Sequence, residues 1–159
     1  MSDVQSFLFE TNLFSDLTGN QLYEIAELAS VERIEGPSYL FHEGDEADAL
    51  YLIRDGLIEV RIEGGAGDEP TTINTLGPHE VLGELSLYGN QTRSASAYVP
   101  ASEETTLIRL AREPLKELLG QNSDIEVKIL RRILSNVSER LRQLDRKHEV
   151  VYSALKDQQ

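Results

Sequence analysis

The chain has 159 residues, 40% of them apolar, enough for one packed core and an appendage but not for two full domains. Acidic residues outnumber basic ones 28 to 15, and with a net charge of -13 and a pI near 4.6 the surface as a whole repels nucleic acid and anionic lipid. The absence of cysteine excludes disulfides, thiolate metal sites and cysteine nucleophiles together.

The opening "MSDVQSFLFE" lacks a basic n-region and a long apolar h-region. No later run approaches the roughly 20 apolar residues of a membrane span. These features predict a soluble, cytoplasmic protein that engages neither membrane nor nucleic acid. Thr18 and Gln21 have the spacing of a capping box, and Leu22, Ile25, Ala26 and Ala29 recur at helical intervals, which predicts a helix over 18–29. From Val31 the period changes to that of strands. "ALYLIRDGLIEVRIEGG" reads as a hairpin turning at Arg54, Asp55 and Gly56, with Ile58, Val60 and Ile62 alternating against Glu59, Arg61 and Glu63. "TTINTL" and the runs near 94–99 and 105–110 add further strands, separated by Gly- and Pro-containing breaks. Short strands with no helices between them predict an antiparallel roll or sandwich.

"REPLKELLG" then reads as a short helix with Pro114 near its start and Gly120 as its C-terminal cap. "SDIE" has capping-box spacing and opens more than 30 residues without Gly or Pro, a helix of roughly 50 Å. Its apolar residues fall at Leu130, Leu134, Val137, Leu141, Leu144, Val151 and Leu155, in alternating steps of four and three, with His148 in the remaining slot. Placing 134, 141, 148 and 155 at a positions puts Arg140 at g and Asp145 at the following e, an oppositely charged pair across a parallel two-stranded coil. Ile125, Ile129 and Ile133 are expected to pack on the chain's own sheet, and the seam beyond Val137 is expected to form a parallel homodimer. The chain thus divides into 1–122, holding the N-terminal helices, the roll and a short helix, and 123–159, a long C-terminal helix of the same domain.

"GELSLYGNQTRSASA" (83–97) places one carboxylate, Glu84, and one guanidinium, Arg93, among small and uncharged residues. The two either neutralise each other or hold a ligand that carries both a hydroxyl and an anionic group. Gly83 allows close approach to the amides of a short helix, Glu84 suits a hydroxyl donor such as a ribose, and Arg93 with Ser94 suits phosphate oxygens.

These residues resemble the phosphate-binding cassette of the cyclic nucleotide-binding domains found in catabolite activator proteins, kinase regulatory subunits and cyclic nucleotide-gated channels. "FHEGDEADALYLIRDGLIEV" resembles the roll-forming glycine pattern of the same family. The resemblance runs from about residue 10 to about 145 and implies an α+β fold: an antiparallel β-roll (a jelly-roll-like double-stranded β-helix) of eight strands, flanked by an N-terminal helix bundle and a long C-terminal helix. It implies that Gly83 and Glu84 bind ribose, that Leu85 and Ser86 form the short helix, and that Arg93 and Ser94 bind the cyclic phosphate of cyclic AMP or cyclic GMP, with cyclic AMP favoured. Ile73 and Asn74 complete the ligand contacts on the roll, and Arg140 or Leu144 of the C-terminal helix caps the base. The sequence departs from the family at His79, Glu80 and Leu82, where Gly-Asp and Phe are common, and at Thr92, where Pro is usual. The module implied is a stand-alone sensor without a helix-turn-helix, needing no cofactor, that signals through an effector protein of unknown identity. Two other readings stand beside it. One is a dimeric scaffold with a vestigial cassette; the other is a cupin-like enzyme, disfavoured because His42, His79 and His148 lack the required His-x-His spacing. No catalytic constellation stands out in the chain.

Overall fold

A computed structural model describes residues 1–89 and 91–158. At the N-terminus α1 (Asp3–Glu10), a 3-10 turn (Asn12–Phe14) and α2 (Gly19–Ala26) follow in close succession. The predicted box closes α2: Thr18 Oγ1 accepts from Gln21 N, and Gln21 Oε1 accepts from Thr18 N. The helix ends three residues before the predicted limit because Ala29 already begins the first strand. α1 is absent from the predicted elements, although Ser2 and Gln5 cap it in the same reciprocal way.

Eight strands follow among the described residues: β1 (Ala29–Glu35), β2 (Ser38–Phe41), β3 (Ala49–Asp55), β4 (Ile58–Ile62), β5 (Thr71–Leu76), β6 (Val81–Leu82), β7 (Ser96–Val99) and β8 (Glu104–Ala111). They form two four-stranded antiparallel sheets, ordered β1-β8-β3-β6 and β2-β7-β4-β5. The strands therefore build the α+β roll with flanking helices that the sequence implies.

The predicted hairpin over residues 49–65 does not form. β3 pairs with β8 and β6, whereas β4 pairs with β5 and β7, so Gly56 passes the chain from one sheet to the other. The physical reason lies in the two strands' different surroundings. Residues 49–53 are all buried: Leu50 and Leu52 pack against the helices, and Ala49, Tyr51 and Ile53 point into the roll. β4 is fully buried only at Ile58, half-buried from Glu59 to Ile62, and belongs to the other sheet. At the crossing Gly56 has φ +87, and a Cβ there would lie 2.5 Å from Glu104 O. Thr105 Oγ1 accepts from Leu57 N and donates to Leu57 O, locking the crossing to the start of β8.

Two helices close the fold, α3 (Arg112–Gln121) and α4 (Ser123–Lys156). Gly120 is not the cap of α3; the helix runs through it to Gln121 and ends at Asn122, whose Nδ2 donates to Leu118 O. Nor does Ser123 cap α4. Asn122 is the N-cap, without a side-chain bond, because one residue serves as the boundary of both helices. Ile125, Ile129 and Ile133 are buried in the chain's own core, but α4 lies chiefly against the N-terminal 3-10 turn and α3 rather than on the sheet as expected. Arg132 fastens this contact with two bonds of 2.6 Å to Asp16. Further along α4, Leu141, Leu144, Val151 and Leu155 are exposed. Among the described residues no helix is long and apolar enough to cross a membrane.

Two glycines give opposite expectations. Gly56→Ala is expected to cost more than about 1 kcal/mol, since Cβ meets backbone in a left-handed conformation. Gly120→Ala, in a helix with nothing within 4 Å of the new Cβ, is expected to add about 0.4–1 kcal/mol by restricting the unfolded chain. Urea unfolding midpoints of the two variants check the difference in sign.

Candidate functional site

β6 ends at Leu82, and at Gly83 the chain turns into a 3-10 helix (Glu84–Leu87) before returning as β7. Gly83 has φ +86, and a Cβ would stand 2.6 Å from Arg93 Nη1 and 3.3 Å from Ala49 O. Only glycine meets both conditions, the left-handed conformation and the close approach of the guanidinium. Ser86 Oγ donates to Gly83 O at 2.6 Å, tightening the turn. The guanidinium of Arg112, itself buried, donates from Nε to Ser86 O at 2.8 Å and steadies the turn's carbonyl end.

The segment carrying Arg93 is gripped by the loop before β3. Gly44 N donates to Arg93 O, Arg93 N to Asp45 O, and Ala47 N to Gln91 O, over 2.6–2.8 Å. The Glu-Gly-Asp stretch at 43–45 thus braces the cassette in space while lying about fifty residues from it in sequence.

Arg93 is buried, its side chain 4% exposed. Nη2 donates to Ala49 O at 2.8 Å and lies 3.6 Å from Asp48 Oδ1, and the guanidinium stands 4.0 Å above the Phe41 ring. Burial draws its pKa below the ordinary guanidinium value, with Tyr51, Asp48 and Asp45 acting in the opposite direction; it remains a cation at neutral pH. Asp48 also receives Arg109 Nη2 at 3.2 Å, so one carboxylate holds two arginines apart. Among the described residues the buried Nε of Arg93 has no hydrogen-bond partner, an arrangement that costs free energy unless a ligand or water accepts from it.

Glu84 is 5% exposed and forms an ion pair with Arg140 of α4, whose Nη2 lies 2.9 Å from its Oε1. The two groups that stood as alternatives in the sequence, a mutual ion pair or two separate ligand contacts, therefore resolve in geometry: Arg93 turns to Asp48 and Glu84 to Arg140. Both face a cleft of about 930 Å³. Gly83, Glu84, Leu85, Ser86, Arg93 and Ser94 line its cassette wall; Asn74 lines the roll side and Arg140 the helix side.

Two predicted contacts lie elsewhere. Ile73 is 59% exposed and off the cleft, because side chains alternate along β5 and Asn74 takes the inward position. Leu144 is 53% exposed on the outer face of α4, and its neighbour Gln143 lines the cleft instead. Gln143, Asp48 and Arg109 escape sequence reasoning: Gln143 depends on the rotation of α4, and the other two on pairings across the sheet. His42 stacks on Tyr39 and His79 on Phe7. Among the described residues no group of three or more His, Asp or Glu side chains is arranged to hold a metal.

Comparison with known proteins agrees with this architecture. Residues 31–122 match the model of the cyclic nucleotide-binding domain. The chain is 34% identical over 150 residues to the anaerobic regulatory protein of Bacillus subtilis, covering 89% of this chain and 61% of that protein. It is 33% identical over 121 residues to the cAMP-dependent protein kinase regulatory subunit of Emericella nidulans, covering 76% and 28% respectively. Among solved structures, a cyclic nucleotide-binding-like protein from Brucella abortus superposes with a TM-score of 0.63 at 32% identity, over 75% of this chain and 99% of that one. The chain spans less than two-thirds of the length of these two curated relatives. It belongs to the cyclic nucleotide-binding domain family.

The cassette is also tied to α4 through Tyr88, whose phenol pKa is pushed up to about 12 by burial and by its contact with the Glu126 carboxylate. Stability from this contact is complete below the phenol's ordinary value of 10.0 and fades as pH rises through about 12. In a phenolate absorbance titration, with Tyr88→Phe identifying the late-titrating group, Glu126→Gln is expected to bring that group down towards its ordinary value.

Proposed function

We propose that this chain is a regulatory module that binds a cyclic nucleotide, cyclic AMP ahead of cyclic GMP, and passes the signal to a partner protein. The observation that carries the reading is the buried Arg93, held beside Gly83 with an unpartnered N–H, in the same cleft as the Glu84 carboxylate. A cyclic phosphate supplies the missing acceptor, and charge-assisted bonds to a guanidinium are among the strongest available to a ligand. Ser94, on the same wall, offers a hydroxyl to a further phosphate oxygen. The ribose hydroxyl donates to Glu84, whose carboxylate has acceptor positions beyond the one engaged by Arg140. A binding role without catalysis accords with the family and with the kind of groups in the cleft.

Dimerisation through α4 belongs to the same proposal. Leu134, Leu141, Leu144, Val151 and Leu155 lie exposed along one seam, and a second copy of the helix in parallel covers them. The seam's polar pair is not preformed: Arg140, assigned to Asp145 of a second copy, is held within its own chain by Glu84. Nucleotide and dimer therefore draw on one guanidinium, and the apolar seam supplies most of the association energy.

At a hundred times its dissociation constant, a ligand that binds only the folded state adds about 2.7 kcal/mol. For a chain of this length that is about 5–11 °C in melting temperature. Cyclic AMP is expected to produce such a shift, Arg93→Ala to abolish it, and Glu84→Ala to reduce it. No shift with either cyclic nucleotide, in protein freed of co-purified ligand, leaves the scaffold reading in its place. In sedimentation velocity at tens of micromolar, about the range in which weak interfaces associate, the parent is expected to be a dimer and the Leu141→Ser/Leu144→Ser variant a monomer.

A further inference from the structure

A cation held out of water needs attractive surroundings, yet the Asp48 carboxylate stays 3.6 Å from Arg93 Nη2, beyond hydrogen-bond reach. The closer support is aromatic. The Phe41 ring centre lies 4.0 Å from the guanidinium carbon and that of Tyr51 5.7 Å from it. Phe41 reaches this place through an irregularity in β2. Tyr39, opposite Tyr98, stacks on Tyr98 and His42, and in a regular strand a residue two positions on shares the same face. The register with β7 slips between Tyr39 and Phe41, so Phe41 lies opposite Ala97 and lines the cleft together with Arg93.

Two kinds of support for a buried guanidinium differ in what they leave for a ligand. A carboxylate in close contact neutralises the cation and occupies in-plane N–H groups, the same groups an anion uses. A ring attracts the cation through its face and occupies none of them. From this geometry we infer that Phe41 is a positioning residue for anion binding: its ring holds Arg93 face-on and out of close ion-pair contact with Asp48, so that the edge of the guanidinium is kept for a phosphate. The inference rests on the proposal that the cleft takes a cyclic nucleotide. The donors are there to be kept, since Ala49 O accepts from Nη2 and the buried Nε has no partner among the described residues. Asp48 is the competitor. Its side chain is 60% exposed, and Arg109 Nη2, at 3.2 Å, draws on its second oxygen. Without the ring, a small movement closes the gap between Arg93 and Asp48 to a charge-assisted bond of about 2.8 Å.

The test is isothermal titration of the full chain, freed of co-purified nucleotide, with cyclic AMP and cyclic GMP. Phe41→Leu, which keeps an apolar side chain but removes the ring, is expected to weaken binding about five- to thirtyfold, the range of a largely desolvated cation–aromatic contact. Adding Asp48→Asn to Phe41→Leu is expected to recover most of that loss, because the competing carboxylate is gone. A packing defect predicts no such recovery. Mono-, di- and trifluorinated phenylalanine placed at position 41 keep the shape of the ring while draining its negative face, and affinity is expected to fall stepwise along that series. Binding by the parent with no trend along the fluorinated series, or with no recovery in the double variant, overturns the role of Phe41 and leaves the nucleotide-sensor reading standing. If the parent binds neither nucleotide, the sensor reading itself fails and the inference falls with it.

Discussion

The burial of one cation organises this molecule. The Arg93 guanidinium lies inside the roll over the Phe41 ring, with Ala49 O as acceptor and Asp48 at 3.6 Å. An isolated buried cation is costly, and the surrounding elements answer that cost. Gly83 must lack a side chain because the guanidinium occupies the space where its Cβ would stand. The loop at 44–47 must grip residues 91–93 so that the arginine enters at the right depth. Asp48 must divide itself between Arg93 and Arg109. One N–H of the guanidinium is buried without a partner among the described residues, and the side chain lines the cleft.

α4 connects this centre to the outside because its three faces do different things. Ile125, Ile129 and Ile133 anchor its first turns in the core, aided by Arg132 and Asp16. Arg140 and Gln143 reach the cleft. Leu141, Leu144, Val151 and Leu155 face away and are exposed. Arg140 sits at the border between the cleft face and the seam, so what happens at Glu84 bears on what the seam has available. Tyr88 adds a second tie, from the cassette to Glu126 in the first turn of the same helix. A change in the position of the cassette therefore has two direct routes to α4.

The cassette was legible in sequence because its members are close together and chemically conspicuous. A left-handed glycine, one acid and one arginine in a stretch of small residues have few other uses, and the structure brings Gly83, Glu84, Arg93 and Ser94 to one cleft. The α2 cap at Thr18 and Gln21 was equally legible, since it closes over three residues. The hairpin at Gly56 misled for a physical reason: a glycine turn between two strands carries the same signal whether the strands pair or part. Gly120 and Ser123 misled in a similar way. Each has the residue type of a helix boundary, but the junction of α3 and α4 settled on Asn122.

Sequence by itself determined the roll-and-helix class, the cassette and the apolar seam of α4, because each rests on local chemistry or on a short period. Tertiary structure alone decided the partners of the charges and the faces of the lining elements. Glu84 meets Arg140 from 56 residues away, and Asp48 stands between Arg93 and Arg109, pairings that exist only once two sheets and a helix are stacked. Whether Ile73 or Asn74 points inward, and whether Gln143 or Leu144 reaches the cleft, depends on strand register and helix rotation. Both are set by how the whole core packs, and a step of one residue along a strand reverses the face while the same step along a helix turns it by about 100°.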